Sequence, residues 1–281
     1  MTEIIDVKSI AQRVREDLKA RIASLRDSGK GIPTLATILV GNDPGSEYYM
    51  ASQKKACDSI GAEMLKLVLP EDTAEEELLR TIRDLNDDGS VHGIMVLLPL
   101  PEGISEGKVA MAIDPSKDVD GVNPVNIGLV ASTPGGVAPC TPESVLEILK
   151  ASLKELKGLH AVIVGRSNIV GKPLVQLLLR EHMTVTVCHS RTKGLKEVTR
   201  SGDVVVAAVG KPLMIDDSYI REGAVVIDVG TSEFEGRITG DVDLARVTGK
   251  ASMATKVPGG VGILTTVLLM RNLVECAEKV V

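Results

Sequence analysis

The chain has 281 residues, 44% of them hydrophobic, with no Trp, one Phe, three Tyr and a formal net charge of −6. That length accommodates two domains of roughly 100–200 residues each, and their cores must be aliphatic. Mixed charge with no basic block argues against nucleic acid or an anionic membrane as partner, and the scarcity of aromatics argues against base stacking. In chain order, residues 7–28 carry apolar positions at helical spacing and end at Gly29 and Gly31. Residues 34–40 form a continuous apolar run closed by Gly41-Asn42-Asp43-Pro44-Gly45, which predicts a buried strand and a loop. A helix is predicted over 46–60, a strand over 63–69, an amphipathic helix over 73–85 with Thr73 as N-cap, and a buried strand over 93–98. This strand–helix alternation implies a parallel sheet covered on both faces. The second half repeats the grammar, with strands predicted at 161–164, 184–188, 204–206 and 224–229 and a long apolar helix over 262–281. The domain junction is expected at the helix beginning near Thr141, whose Pro142 suits a first helical turn.

Cys57, Cys140, Cys188 and Cys276 lie far apart without a C-x-x-C pair, so buried thiols in a reducing compartment are expected rather than disulfides. The four histidines, His92, His160, His182 and His189, show no ligand spacing, and no metal site is expected. No apolar run approaches the roughly 18 residues of a membrane span. The first residues lack the basic start and apolar stretch of a secretory signal, so a cytoplasmic location is expected.

The most informative stretch is 161–173. An apolar run stops at Gly165, a polar loop follows through Arg166 and Ser167, and Gly171 opens an apolar segment. A strand, a tight turn and a helix N-terminus in that order can cradle a pyrophosphate. The spacing departs from G-x-G-x-x-G, since Ser167 stands at the second glycine and the last glycine comes one residue late; an ordinary strand–helix connection reads the same way. After the following strand, Cys188-His189-Ser190-Arg191-Thr192 holds no acidic residue for a ribose hydroxyl. Ser190 and Arg191 offer a hydroxyl and a cation, which suits the 2′-phosphate of NADP, although a solvated Arg after a strand is common.

Three further segments carry candidate chemistry. Tyr49 and Gln53, four apart, share a helix face, and Lys54 is turned about 100° from Gln53. Lys117-Asp118-Val119-Asp120-Gly121 sets two carboxylates beside a turn, where forming the turn or capping is the ordinary role. Val257-Pro258-Gly259-Gly260-Val261-Gly262 lets a backbone pass close to a ligand, or simply leads into the final helix.

Taken in order, Leu39-Val40-Gly41-Asn42-Asp43-Pro44, Leu98-Pro99-Leu100-Pro101, Lys117-Asp118-Val119-Asp120-Gly121, Pro139-Cys140-Thr141-Pro142, the 164–171 loop and the 257–262 loop resemble the motifs of the methylenetetrahydrofolate dehydrogenase/cyclohydrolase family. The resemblance covers essentially the whole chain. It implies two αβα domains around a cleft, the C-terminal one a Rossmann-type parallel sheet. A folate-binding catalytic domain would span 1–140, joined by the final helix 262–281, and an NADP-binding domain 141–261. It also implies a tetrahydrofolate derivative as substrate and a homodimer formed through the cofactor domains. By motif position, Gly165, Arg166, Ser167, Gly171, Ser190, Arg191 and Thr231 would line the cofactor site. Tyr49, Gln53 and Asp120 would stand at the catalytic positions, with Asp120 holding the pterin, and Leu97, Pro99, Gly259, Gly260 and Ile263 would border the substrate.

The chain departs from the family on the folate side. Gln53 stands where the family has its catalytic lysine, and Leu97 where it has Gln. Lys256, Ile263 and Leu264 replace the usual residues around the glycine loop. The expected activity is therefore oxidation of 5,10-methylenetetrahydrofolate with the cyclohydrolase step weakened or lost. The alternatives are an ordinary bifunctional enzyme, the same scaffold acting on another substrate, and a nucleotide-binding protein without turnover.

Overall fold

The structure, a computed structural model, describes residues 1–133 and 135–279; the last two residues of the helix predicted over 262–281 lie outside them. The chain divides into two compact units, one of residues 12–138 with 266–281 and one of residues 1–11 with 139–265. The elements of the first half are β1 (Glu3–Ile4), α1 (Val7–Asp27), β2 (Thr34–Val40), α2 (Pro44–Ile60), β3 (Glu63–Leu69), α3 (Glu75–Asp87), β4 (Gly93–Val96), α4 (Glu106–Ala112) and α5 (Pro124–Ser132).

The unit of residues 12–138 is built on a parallel sheet in the order β3-β2-β4. The central strand β2 alternates its side chains between two helical layers. Ala36, Ile38 and Val40 pack with Leu78, Ile82 and Leu85 of α3, while Thr37 reaches α2 through a hydrogen bond to Gln53. Helix α2 starts where the Asp43 carboxylate accepts the Ser46 N–H at 2.8 Å, and stops at Gly61, whose φ of 83° suits a residue without a Cβ. Thr73 is not the cap of α3. Ala74 takes that position, because the Thr73 hydroxyl donates to the Pro70 carbonyl at 2.6 Å instead.

The second half adds α6 (Cys140–Ser152), β5 (His160–Val164), α7 (Gly171–Arg180), β6 (Thr184–Cys188), α8 (Leu195–Arg200), β7 (Val204–Ala207), β8 (Val225–Asp228), β9 (Ser232–Phe234), β10 (Arg237–Thr239), α9 (Leu244–Val247), β11 (Met253–Ala254) and α10 (Val261–Lys279). Its six-stranded parallel sheet has the order β1-β11-β8-β7-β5-β6. From β5 the chain moves outward to β6, then returns to the other side of β5 for β7. That reversal is the topological switch point at which open α/β sheets bind ligands.

The units differ from the expected division: residues 1–11, 139–140 and 262–265, expected with the first unit, all belong with the second. Residues 1–11 do so because β1 runs parallel to β11 and the Glu3 and Ile5 N–H groups donate to the Ser252 and Ala254 carbonyls, both at 2.9 Å. Most of α10 packs within the first unit. The Asn272 amide donates to the Val119 carbonyl at 2.9 Å, and Arg21 forms a two-pronged ion pair with Glu278. Gly93 leaves no space for a side chain, since a Cβ there would lie 2.3 Å from Val119 and 2.9 Å from Leu273.

Candidate functional site

The glycine loop sits at the carboxyl end of β5. Gly165 has φ 140°, and a Cβ there would lie 2.2 Å from the Ala208 carbonyl oxygen. A Cβ on Gly171 would lie 2.3 Å from the Gly165 carbonyl oxygen. Both glycines are therefore required sterically, for close packing of the loop between β5, β7 and α7. Residues 166–169 are exposed above it. Ser167, at the position of the usual second glycine, folds the loop inward: its Oγ accepts the Val170 N–H at 3.1 Å and its carbonyl accepts the Lys172 N–H at 3.1 Å.

Neighbouring strands bring the other expected cofactor residues to the same edge of the parallel sheet. Ser190 and Arg191 follow β6 and are exposed; Thr231 follows β8 and is exposed. The Gly165 N–H donates to the Cys188 carbonyl at 2.9 Å, fastening the glycine loop to the end of β6. The exposed hydroxyls and guanidinium groups gathered along this sheet edge, beside the N-terminus of α7, have the chemistry to hold a phosphorylated dinucleotide.

Two residues that the sequence reading missed organise the rest of this edge. Asp241 is fully buried, and its carboxylate accepts the N–H groups of Val209, Gly210 and Lys211 at 2.6, 3.0 and 2.7 Å. Asp228 is buried beside it and accepts from Gly230, Asp241 and Val242, each at 3.0 Å. Burial pushes the Asp228 carboxyl up to about 6, against the pull of those three N–H groups and with the Asp241 charge adding to the rise. A sequence signal existed in Gly240-Asp241, because the adjacent glycine has no room for a Cβ: one would lie 1.9 Å from Asp228 Oδ2.

In the other unit, Tyr49 is half-buried on α2 and Gln53 is completely buried one turn later. The Gln53 carbonyl oxygen accepts the Thr37 hydroxyl at 3.0 Å, and its amide nitrogen donates to Met95 Sδ at 2.9 Å. Thr37 and Met95 are partners that only the sheet register supplies. Lys54 points away and pairs with Asp58 on the exposed side of the helix. Leu97 is buried beyond β4, while Pro99 is exposed, and Leu98 Pro99 is a cis peptide. Asp118 takes the turn role: its buried carboxylate accepts from the Val122 and Asn123 N–H groups and the Asn126 amide, while Asn123 caps α5. Asp120 is half-buried at the following turn.

Gly259, Gly260 and Ile263 belong to the unit of the six-stranded sheet, at the start of α10. Gly259 has φ 105°, and a Cβ on Gly260 would lie 2.5 Å from the Lys256 carbonyl oxygen. Among the described residues, no group of His, Cys, Asp and Glu is arranged to hold a metal ion, and no helix is long and apolar enough to cross a membrane.

A parallel sheet with a switch-point glycine loop, paired in one chain with a second parallel α/β unit, defines a two-unit protein of the dinucleotide-dependent class. Residues 5–120 match the tetrahydrofolate dehydrogenase/cyclohydrolase catalytic domain, and residues 139–281 match the NAD(P)-binding domain of the same family. The chain belongs to the tetrahydrofolate dehydrogenase/cyclohydrolase family. It is 46% identical to the bifunctional protein FolD of Clostridium beijerinckii over 279 residues, 99% of each chain. Its fold is similar to the FolD methylenetetrahydrofolate dehydrogenase/cyclohydrolase of Campylobacter jejuni, with TM-score 0.96 and 41% identity over 100% of both chains. It is also similar to the Trypanosoma brucei FolD structure complexed with NADP cofactor and inhibitor, with TM-score 0.91 and 34% identity over 99% of this chain and 98% of that one.

Proposed function

We propose that the chain oxidises 5,10-methylenetetrahydrofolate to 5,10-methenyltetrahydrofolate with NADP, and that its cyclohydrolase step is weakened or lost. Family membership and the intact glycine loop support the first part; the buried Gln53 carries the second. Bound NADP would supply the hydride acceptor. The residues of the chain need only hold the folate bridge carbon against it, because a folate nitrogen lone pair stabilises the cation left behind and no general base is required. Tyr49 would pack against the folate, Asp120 would accept N–H groups of the pterin, and Leu97, Pro99, Gly259, Gly260 and Ile263 would border it. Gly165, Arg166, Ser167, Gly171 and Thr231 would hold the dinucleotide, with Ser190 and Arg191 on its 2′-phosphate. In this reading the unit of α2 binds folate, the unit of the six-stranded sheet binds NADP, and the enzyme works in the cytoplasm as a homodimer.

The hydrolytic step is different. Water adds to the methenyl carbon and releases one proton; the hydroxyl so formed then loses its proton as a ring nitrogen gains one and its bond to that carbon breaks, leaving a formyl group. A positioned acid–base group contributes roughly 100- to 10,000-fold to such transfers. Gln53 cannot exchange a proton near neutral pH, and both ends of its amide are engaged by Thr37 and Met95. Lys54 does not replace it, since it pairs with Asp58. A second reading, ordinary bifunctional activity, is favoured by the name of relatives 46–48% identical over nearly their full length.

One assay separates the two: methylenetetrahydrofolate and NADP are supplied, and reduced cofactor and methenyl product are followed separately. Lost hydrolysis leaves methenyl decaying at its uncatalysed rate and weakened hydrolysis only a little above it, and Gln53→Lys with Leu97→Gln should accelerate that decay by at least about 100-fold. A lysine in this buried place would have its pKa drawn down by desolvation, as acid–base work requires. Rapid loss of methenyl in the unaltered protein establishes the bifunctional reading instead.

A further inference from the structure

We infer that His189 is a positioning residue for NADP recognition: its ring fixes the turn from which Ser190 and Arg191 reach the 2′-phosphate. The inference rests on the proposed 2′-phosphate role of those two side chains, and adds a residue whose own side chain need not touch the nucleotide. Three hydrogen bonds close residues 189–192 onto themselves. The Thr192 N–H donates to the His189 carbonyl at 2.9 Å, and the His189 N–H donates to Thr192 Oγ1 at 2.9 Å. The third is made by the ring: the Arg191 N–H donates to His189 Nδ1 at 3.1 Å.

An Nδ1 that accepts belongs to a neutral imidazole with its proton on Nε2. The ring thus holds the backbone N–H of the residue whose guanidinium is proposed to meet the phosphate. Ser190 and Arg191 stay exposed, while the strand end beneath them is anchored by the Cys188 carbonyl to the Gly165 N–H. A fixed backbone lowers the ordering cost of bringing two flexible side chains onto one phosphate. A cofactor without the 2′-phosphate does not draw on that geometry, so the effect of the ring belongs in the ratio of NADP to NAD affinity. One neutral hydrogen bond corresponds to a change of about two- to tenfold in that ratio.

The experiment is calorimetric titration of the full-length protein with NADP and with NAD, which needs no folate and no turnover. His189→Leu, which cannot accept, should lower the NADP-to-NAD affinity ratio about two- to tenfold. His189→Asn should restore it, because an Asn oxygen accepts the N–H two residues on. Arg191→Met, read alongside, tests the underlying assignment and should lower the ratio at least as far. If Arg191→Met lowers the ratio and His189→Leu does not, the inference is overturned while the phosphate assignment stands. If Arg191→Met leaves the ratio intact, the assignment and the inference fall together. Equal losses in His189→Leu and His189→Asn also overturn it, since the accepting atom would then not be what matters. Should His189→Leu not fold, His189→Ala read against His189→Asn makes the same comparison.

Discussion

His92 carries a pH dependence that is separate from catalysis. The residue is buried just before β4, and its Nδ1 accepts the Thr34 N–H at 3.2 Å. Burial, and then the Lys117 charge, hold its pKa below the ordinary histidine value. Lys117 itself is fixed there, because its ammonium donates to the Leu85, Asn86 and Asp88 carbonyls at 3.0, 2.7 and 2.8 Å. A histidine with a lowered folded-state pKa binds its proton more readily in the unfolded chain. Its contribution to stability is therefore complete above about pH 6.5 and is lost as pH falls below that value toward its folded pKa. Asp228 acts in the opposite sense: a carboxyl raised to about 6 in the fold takes up a proton on acidification earlier in the native state than in the unfolded one. Its titration adds stability as pH falls from about 6 toward 4. Urea unfolding between pH 5 and 7 should show a loss on the acid side that shrinks in His92→Gln. In Asp228→Asn the same loss should steepen. An unchanged slope in His92→Gln would place the acid sensitivity elsewhere.

At the scale of elements, the turns at the carboxyl edge of the six-stranded sheet hang on two buried carboxylates, and the sterics around them give a sharp prediction. Gly240→Ala would drive a methyl group into Asp228 Oδ2 and should cost about 1–3 kcal/mol, as overpacking does. It should also weaken NADP binding, since the displaced Asp228 carboxylate holds the Asp241 and Val242 N–H groups. Thermal melting and NADP titration together check both parts; a fully stable Gly240→Ala protein contradicts them. The same edge shows what can be read from a sequence. Gly165 and Gly171 were legible because each lacks room for a single carbon, a local demand that leaves its mark on the chain. The strand 34–40 was legible because a buried strand demands an apolar run. β1 and β11 were not, since two-residue strands carry no periodicity and their pairing joins the two ends of the chain. The β9–β10 hairpin was hidden by exposed Phe234 and Ile238 and by a Glu235-Gly236 turn with positive φ at both residues. Gln53 was singled out as a missing lysine, but its partners Thr37 and Met95 lie on two different strands. No spacing along the chain links them.

For the whole molecule, the consequence of two units with separate cores is that damage to one should leave the ligand of the other in place. Asn272 offers the test. It is buried on α10, and its amide donates to the Val119 carbonyl at 2.9 Å and the Ala138 carbonyl at 3.3 Å, all within the unit proposed to bind folate. Val119 immediately precedes Asp120, the proposed pterin ligand, so the amide steadies the backbone from which that carboxylate projects. Asn272→Leu keeps roughly the volume and removes both donors, and stranding buried acceptors costs about 1–3 kcal/mol. The variant should melt earlier. Its KM for methylenetetrahydrofolate should rise several-fold, while its affinity for NADP stays within about twofold, because independent sites add within about 0.5 kcal/mol. A simple loss of folded protein lowers total activity without moving either constant, so the split between the two ligands is the informative readout. If NADP affinity falls together with folate affinity, the two units act as one body in binding. Asn272 then serves the nucleotide site as well, and the assignment of one ligand to each unit has to give way.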